Sequence, residues 1–161
     1  MVETNTTISE FRVVTKRVIE IELAHPDAKL PFSADEGSSG YDLFSVEEVT
    51  LQPGERKIVP TGLKWNPNDN RLEMQIRSRS GLAYKHGIAV LNEPGTIDAS
   101  YRGLIGVILI NHGQVPVTLA KGERIAQAVI ARVEKDFDFE VVSNVAQSVR
   151  GEGGFGSTGR M

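Results

Sequence analysis

Short apolar runs that alternate with polar residues, each cut off by a turn signal, constrain this chain more than any other feature. After its first residue, Val18-Ile19-Glu20-Ile21-Glu22-Leu23 alternates; so do Leu72, Met74 and Ile76 with Glu73, Gln75 and Arg77. A period of two places one set of side chains on one face of a strand. Ile105, Val107 and Leu109 share a face, and the other face carries Gly106, Ile108 and Ile110. Both are largely apolar, so that strand is expected to be buried on both sides. Pro53-Gly54, Pro60, Pro67-Asn68 and Pro94-Gly95 punctuate the runs. No long segment holds a helical period; the one helix expected is brief, from Ser80 to about Tyr84. Many short strands at regular spacing point to an all-β sandwich or barrel.

The chain has 161 residues, enough for one domain. There is no internal repeat. Its 18 basic and 21 acidic residues leave a net charge of -3, whereas a non-specific nucleic-acid binder is usually basic. An acidic protein that handles polyphosphate must concentrate its positive charge locally or take it from a metal. Cysteine is absent, which excludes disulfides, thiolate catalysis and Cys-based zinc sites. His25, His86 and His112 form no metal motif. The start, MVETNTTISE, is polar and has no apolar h-region, so no signal peptide is expected. The longest apolar run, Val107 to Ile110, is too short to span a bilayer. A cytoplasmic location, with no membrane and no nucleic-acid partner, is the expectation. Residues 1–10 are polar and expected to be flexible.

From Gly151 to Gly159 more than half the residues are glycine. Such a segment loses much entropy on ordering and has little apolar surface to repay it. A plain solvent tail is the common outcome, but an aromatic at its centre, Phe155, and the preceding Arg150 suit contact with a ligand.

Four further stretches hold chemistry-bearing residues. In Gly95-Thr96-Ile97-Asp98-Ala99-Ser100-Tyr101-Arg102-Gly103, Asp98 stands beside an apolar anchor, where a carboxylate can orient and deprotonate a water. Asn92, upstream, offers an amide donor and acceptor suited to a base edge. Tyr101 can lay its ring against a sugar. Arg79-Ser80-Gly81-Leu82-Ala83 follows a strand and opens the short helix, a plausible phosphate cradle. Gly40-Tyr41-Asp42-Leu43 and Gly122-Glu123-Arg124-Ile125-Ala126-Gln127 set polar residues beside strand starts. Taken singly, each of these is more often a turn, a ladder end or a helix cap than a site.

Taken in order, they resemble the five motifs of the trimeric dUTPase family. These are Ser39 to Leu43, Arg79 to Ala83, Gly95 to Asp98 continuing through Tyr101-Arg102-Gly103, Gly122 to Gln127, and Arg150-Gly151 through Gly153-Gly154-Phe155-Gly156-Ser157-Thr158-Gly159. The resemblance covers roughly residues 17 to 159, and five spaced motifs are hard to obtain by chance. Glu123 stands where aspartate is usual, Ser100 where aspartate or glycine is common, and Ser78 where proline is common.

The resemblance implies a β-clip or jelly-roll-like barrel over residues 1–149. A flexible Gly-rich arm, 150–161, would close the active site. It implies a homotrimer with shared sites and a reaction in which water attacks the α-phosphorus of dUTP, releasing dUMP and pyrophosphate. That activity would limit uracil in DNA and supply dUMP for thymidylate synthesis. Asp98 would be the general base. Asp42 would hold Mg²⁺ through water. Arg79, Ser80, Gly81 and Gln127 would bind phosphates, with Arg150, Gly156, Ser157 and Thr158 closing on the terminal one. Asn92 and the backbone of Gly95, Thr96 and Ile97 would grip uracil, Tyr101 the sugar, and Phe155 would stack on the base. The similar dCTP deaminases carry a catalytic glutamate on the strand after the third motif; here Leu104 to Ile110 has no carboxylate.

Overall fold

The computed structural model describes residues 17–154. Eleven strands and one helix are present among them. The strands are β1 (Glu20–Leu23), β2 (Tyr41–Phe44), β3 (Val49–Leu51), β4 (Arg56–Pro60), β5 (Leu63–Asn66), β6 (Leu72–Arg77), β7 (Ile88–Val90), β8 (Gly95–Asp98), β9 (Gly106–Asn111), β10 (Val117–Leu119) and β11 (Arg124–Arg132); the helix is α1 (Ser80–His86). The all-β expectation is met. The helix runs two residues further than expected and stops at Gly87, whose φ of 70° and N–H bond to the Ala83 carbonyl form a left-handed cap.

The strands divide into four antiparallel sheets: β2-β11-β6-β8, β4-β9-β7, β1-β5 and β3-β10. Among the described residues they do not close into a single ring. The frequent turns explain this, because several strands are only three or four residues long. They pack instead as layers around Leu43, Leu51, Leu63, Trp65, Met74, Ile88, Ile105, Leu109, Leu119 and Ile125, all essentially inaccessible to solvent. The strand expected to be buried on both sides is so on one. Val107, Leu109 and Asn111 of β9 are buried, whereas Gly106, Ile108 and Ile110 are half-buried. Among the described residues no helix is long and apolar enough to cross a membrane.

A buried polar side chain holds the turns at one end of β9. Asn111 has no exposed surface. Its Nδ2 donates to the carbonyls of Leu51 (3.0 Å) and Val115 (2.9 Å), and its Oδ1 accepts from the Gly113 N–H (2.8 Å). Removing the amide leaves the buried Leu51 carbonyl without this donor and frees the turn at Gly113 and Val115. Asn111→Ala is expected to lose about 2 kcal/mol of stability, read as a lower urea midpoint at fixed protein concentration.

Past β11 the chain changes character. Phe137, Phe139 and Val141 alternate with Asp138 and Glu140, yet this stretch joins no strand, and Phe139 and Val141 are fully exposed (102% and 100%). A strand-like pattern with no partner strand among the described residues leaves an exposed apolar surface.

Candidate active site

The four-stranded sheet carries two groups of candidate residues. At one end, β11 brings Gln127 between Asp42 of β2 and Arg77 of β6. Arg79 follows directly and caps α1, with no side chain capping the helix start. Asp42, Arg79, Ser80, Gly81 and Gln127 line a pocket of about 190 Å³. Here lie four of the expected phosphate binders and the expected metal-associated carboxylate.

The electrostatics of this pocket centre on Asp42, whose side chain is 16% exposed. One oxygen accepts from Arg79 Nε and the other from Arg124 Nη1, both at 3.0 Å. Arg79 also donates through Nη1 to the Arg124 carbonyl at 3.0 Å. Asp42 therefore sets the direction of Arg79 and neutralises part of its charge. Arg124 is not among the residues expected from the sequence; the opposite charges of motifs one and four are the available signal for it. A carboxylate oxygen has room for more than one donor, so Asp42 can still accept from waters. Mg²⁺ sheds water reluctantly, so a carboxylate already held by two guanidinium groups fits a water-mediated contact better than a direct bond. Among the described residues no three His, Asp or Glu side chains cluster as a metal cage.

Two glycines shape the cradle. A Cβ on Gly40 would collide with the Gln127 side chain, so the backbone of motif one must be bare for Gln127 to lie over it. Gln127 Nε2 donates to the Ser78 carbonyl at 2.8 Å. A Cβ on Gly81 would meet nothing within 4 Å among the described residues, so packing there does not require the missing side chain, which leaves the pocket open. Glu123, the longer carboxylate in motif four, closes its own turn by accepting from the Ala120 N–H at 2.8 Å.

The second group lies further along. Thr96, Ile97, Asp98, Tyr101, Leu104 and Gly106 line a pocket of about 180 Å³. The Asp98 carbonyl accepts from the buried Trp65 indole (3.2 Å) and from the Tyr101 N–H (3.1 Å). The core thus fixes the Asp98 backbone, while its residue is exposed and its carboxylate has no hydrogen bond among the described residues. The Tyr101 hydroxyl donates to the Leu104 carbonyl (3.0 Å), and its ring packs where a Cβ on Gly103 would sit. Asn92 lies over Gly95, with Nδ2 3.2 Å from where a Cβ would be. The Asn92 amide and the start of β8 are therefore adjacent.

The two pockets share no residue. Asp98 pairs with Glu73 on β6, and Gln127 with Arg77 on the same strand. Four residues of strand separate the rows, about 13 Å at the usual rise. One chain does not bring its Asp98 to its own cradle. Arg150 donates through Nε to the Gly153 carbonyl at 2.7 Å, away from both pockets. Phe155, Gly156, Ser157 and Thr158 lie outside the described residues, as do residues 1–10.

A family model described as dUTPase matches residues 26–159. A deoxyuridine 5'-triphosphate nucleotidohydrolase of Anaeromyxobacter sp. (strain Fw109-5) is 50% identical over 147 residues, covering 91% of this chain and 99% of its own. One of the same name from Clostridium novyi (strain NT) is 53% identical over 140 residues, covering 86% of this chain and 96% of its own. Among solved structures, a mutant dUTPase of Staphylococcus bacteriophage 80alpha with dUpNHpp aligns with a TM-score of 0.82 at 27% identity, over 90% of this chain and 100% of that one. A mutant dUTPase of phage phi11 of S. aureus, described with a structural Mg(II) ion, shares the fold at a TM-score of 0.73 and 22% identity, over 80% of this chain and 98% of that one. The match across residues 26–159, and relatives half identical along nearly all of their own length, leave one assignment: this chain belongs to the dUTPase family.

Proposed function

We propose that this chain hydrolyses dUTP to dUMP and pyrophosphate, with Asp98 as general base for a water that attacks the α-phosphorus. The observation that carries the reading is the Asp98 carboxylate: it is exposed in a pocket with Tyr101 and has no hydrogen bond among the described residues, while its backbone is pinned by Trp65. A base must be fixed in direction yet unengaged if it is to take a proton.

The uracil edge would meet Asn92 and the backbone of Gly95 to Ile97. Cytosine presents the wrong order of donor and acceptor, and an unpaired buried amide costs ~1–3 kcal/mol. Tyr101 against the sugar would exclude a 2′-hydroxyl. The outer phosphates would lie against Arg79, Ser80, Gly81 and Gln127. Magnesium on the triphosphate would neutralise developing charge, with Asp42 accepting from its waters. The product dUMP would feed thymidylate synthesis, and removal of dUTP would keep uracil out of DNA.

The site is shared within a homotrimer on this reading. The separation between Asp98 and the cradle supports it, because a triphosphate near Asp98 needs another copy's cradle. The uncovered Phe137, Phe139 and Val141 supply apolar surface for such contacts. The arm from Arg150 would close over the base and terminal phosphate, excluding water as a lid does.

Pyrophosphate release from dUTP with Mg²⁺ tests the reaction. Release with dUTP and no ammonia from dCTP is expected. Ammonia from dCTP would convert the reading to a deaminase, and silence with both would remove the enzyme reading.

A further inference from the structure

Ser78 sits between β6 and α1, and each of its polar groups is engaged. Its N–H donates to Glu93 Oε1 at 3.0 Å and its hydroxyl to Glu93 Oε2. The same hydroxyl accepts from the Val90 N–H at 2.8 Å, and the Ser78 carbonyl accepts from Gln127 Nε2 at 2.8 Å. Val90 and Glu93 bracket the loop that carries Asn92. One serine thus holds both ends of the base-edge loop while touching Gln127 and preceding Arg79 in the cradle. A proline at position 78 would supply neither the N–H nor the hydroxyl, so the clamp depends on the residue this chain has there.

We infer that Glu93, through Ser78, is a positioning residue for the phosphate cradle, linking the base-edge loop to Arg79 and Gln127; this rests on the dUTP reading above. Glu93 lines neither pocket. It is exposed, so its bonds to Ser78 are weakened by water and add little to stability. Two bonds from one carboxylate to one residue still fix an orientation, as bidentate pairs do. Cutting them frees Ser78 to shift, and Gln127 and Arg79 move with it.

The test compares two ligands on the full-length chain. dUMP reports the base-edge grip and the innermost phosphate. A non-hydrolysable imido analogue of dUTP adds the outer phosphates, so the ratio of the two affinities measures the cradle. Glu93→Ala is expected to lower that ratio by about tenfold, because a misplaced cradle loses about one charge-assisted hydrogen bond to the outer phosphates, with the thermal transition little changed. Glu93→Gln, which keeps an acceptor for the Ser78 N–H, should recover most of the ratio. Ser78→Ala combined with Glu93→Ala should cost clearly less than the two single losses summed, since both remove the bond between the Ser78 hydroxyl and Glu93. Equal weakening of dUMP and the analogue would leave the ratio unmoved and overturn the inference, as would losses that add in full. If the unaltered chain neither hydrolyses dUTP nor binds the analogue, the underlying reading fails, and the inference with it.

Discussion

Asp98→Asn is expected to preserve the fold and the affinity for a dUTP analogue while lowering turnover by ~10²–10⁴, the range a general base contributes. The bonds that hold this residue run through its backbone carbonyl, from Trp65 and Tyr101. The substitution leaves both intact. It changes only a side chain that has no hydrogen bond among the described residues, so no partner is left unpaired. The amide has nearly the same shape and can still touch a water, but it cannot accept its proton. The loss therefore belongs in kcat, with KM nearly constant. Pre-steady-state product formation and analogue binding measured on the same preparation check both halves. Near-normal turnover would take the base role from Asp98, and a matching loss of binding would mean that it holds substrate instead.

Alternating runs announced β1 and β6, and a continuous apolar run announced β9, because both patterns are local properties of the sequence. The short helix was legible from its flanking strand and stopped where Gly87 allows a left-handed turn. The burial of β9 was overestimated on one face. Ile108 and Ile110 are apolar but only half-covered within one chain, and composition does not tell a solvent-facing residue from one awaiting a partner copy.

The site divides in the same way. Motif order pointed to Asp42, Arg79, Gln127 and Asp98, but not to how far apart the sheet holds them. Their separation follows from strand register, which depends on long-range pairing. Arg124 and Glu93 escaped notice for a related reason. Each acts through a partner far away in sequence, Arg124 on Asp42 and Glu93 on Ser78, and nothing in the neighbouring residues marks the pairing.

Ending the chain at Val149 is expected to leave the body folded and assembled while reducing kcat/KM for dUTP on the order of 10²–10³, through lost stacking of Phe155 and lost charge-assisted bonds to phosphate. The body should be indifferent to the cut. Among the described residues, the bonds made by Arg150, Gly151 and Gly153 stay within the arm or reach only Ser148. The thermal transition and the mass by light scattering should therefore match those of the full chain, and an unimpaired truncation would remove the lid. Mixing decides whether the sites are shared between copies. Chains ending at Val149 retain Asp98 but no arm, and Asp98→Asn chains retain the arm but no base. Each is nearly inactive alone. If a site takes its base from one copy and its arm from another, trimers reassembled from both must contain some sites with the two together, and activity returns above the sum of the separate preparations. If each chain closes its own arm over its own Asp98, no mixture supplies both to one site, and the mixed preparation stays as inactive as its parts.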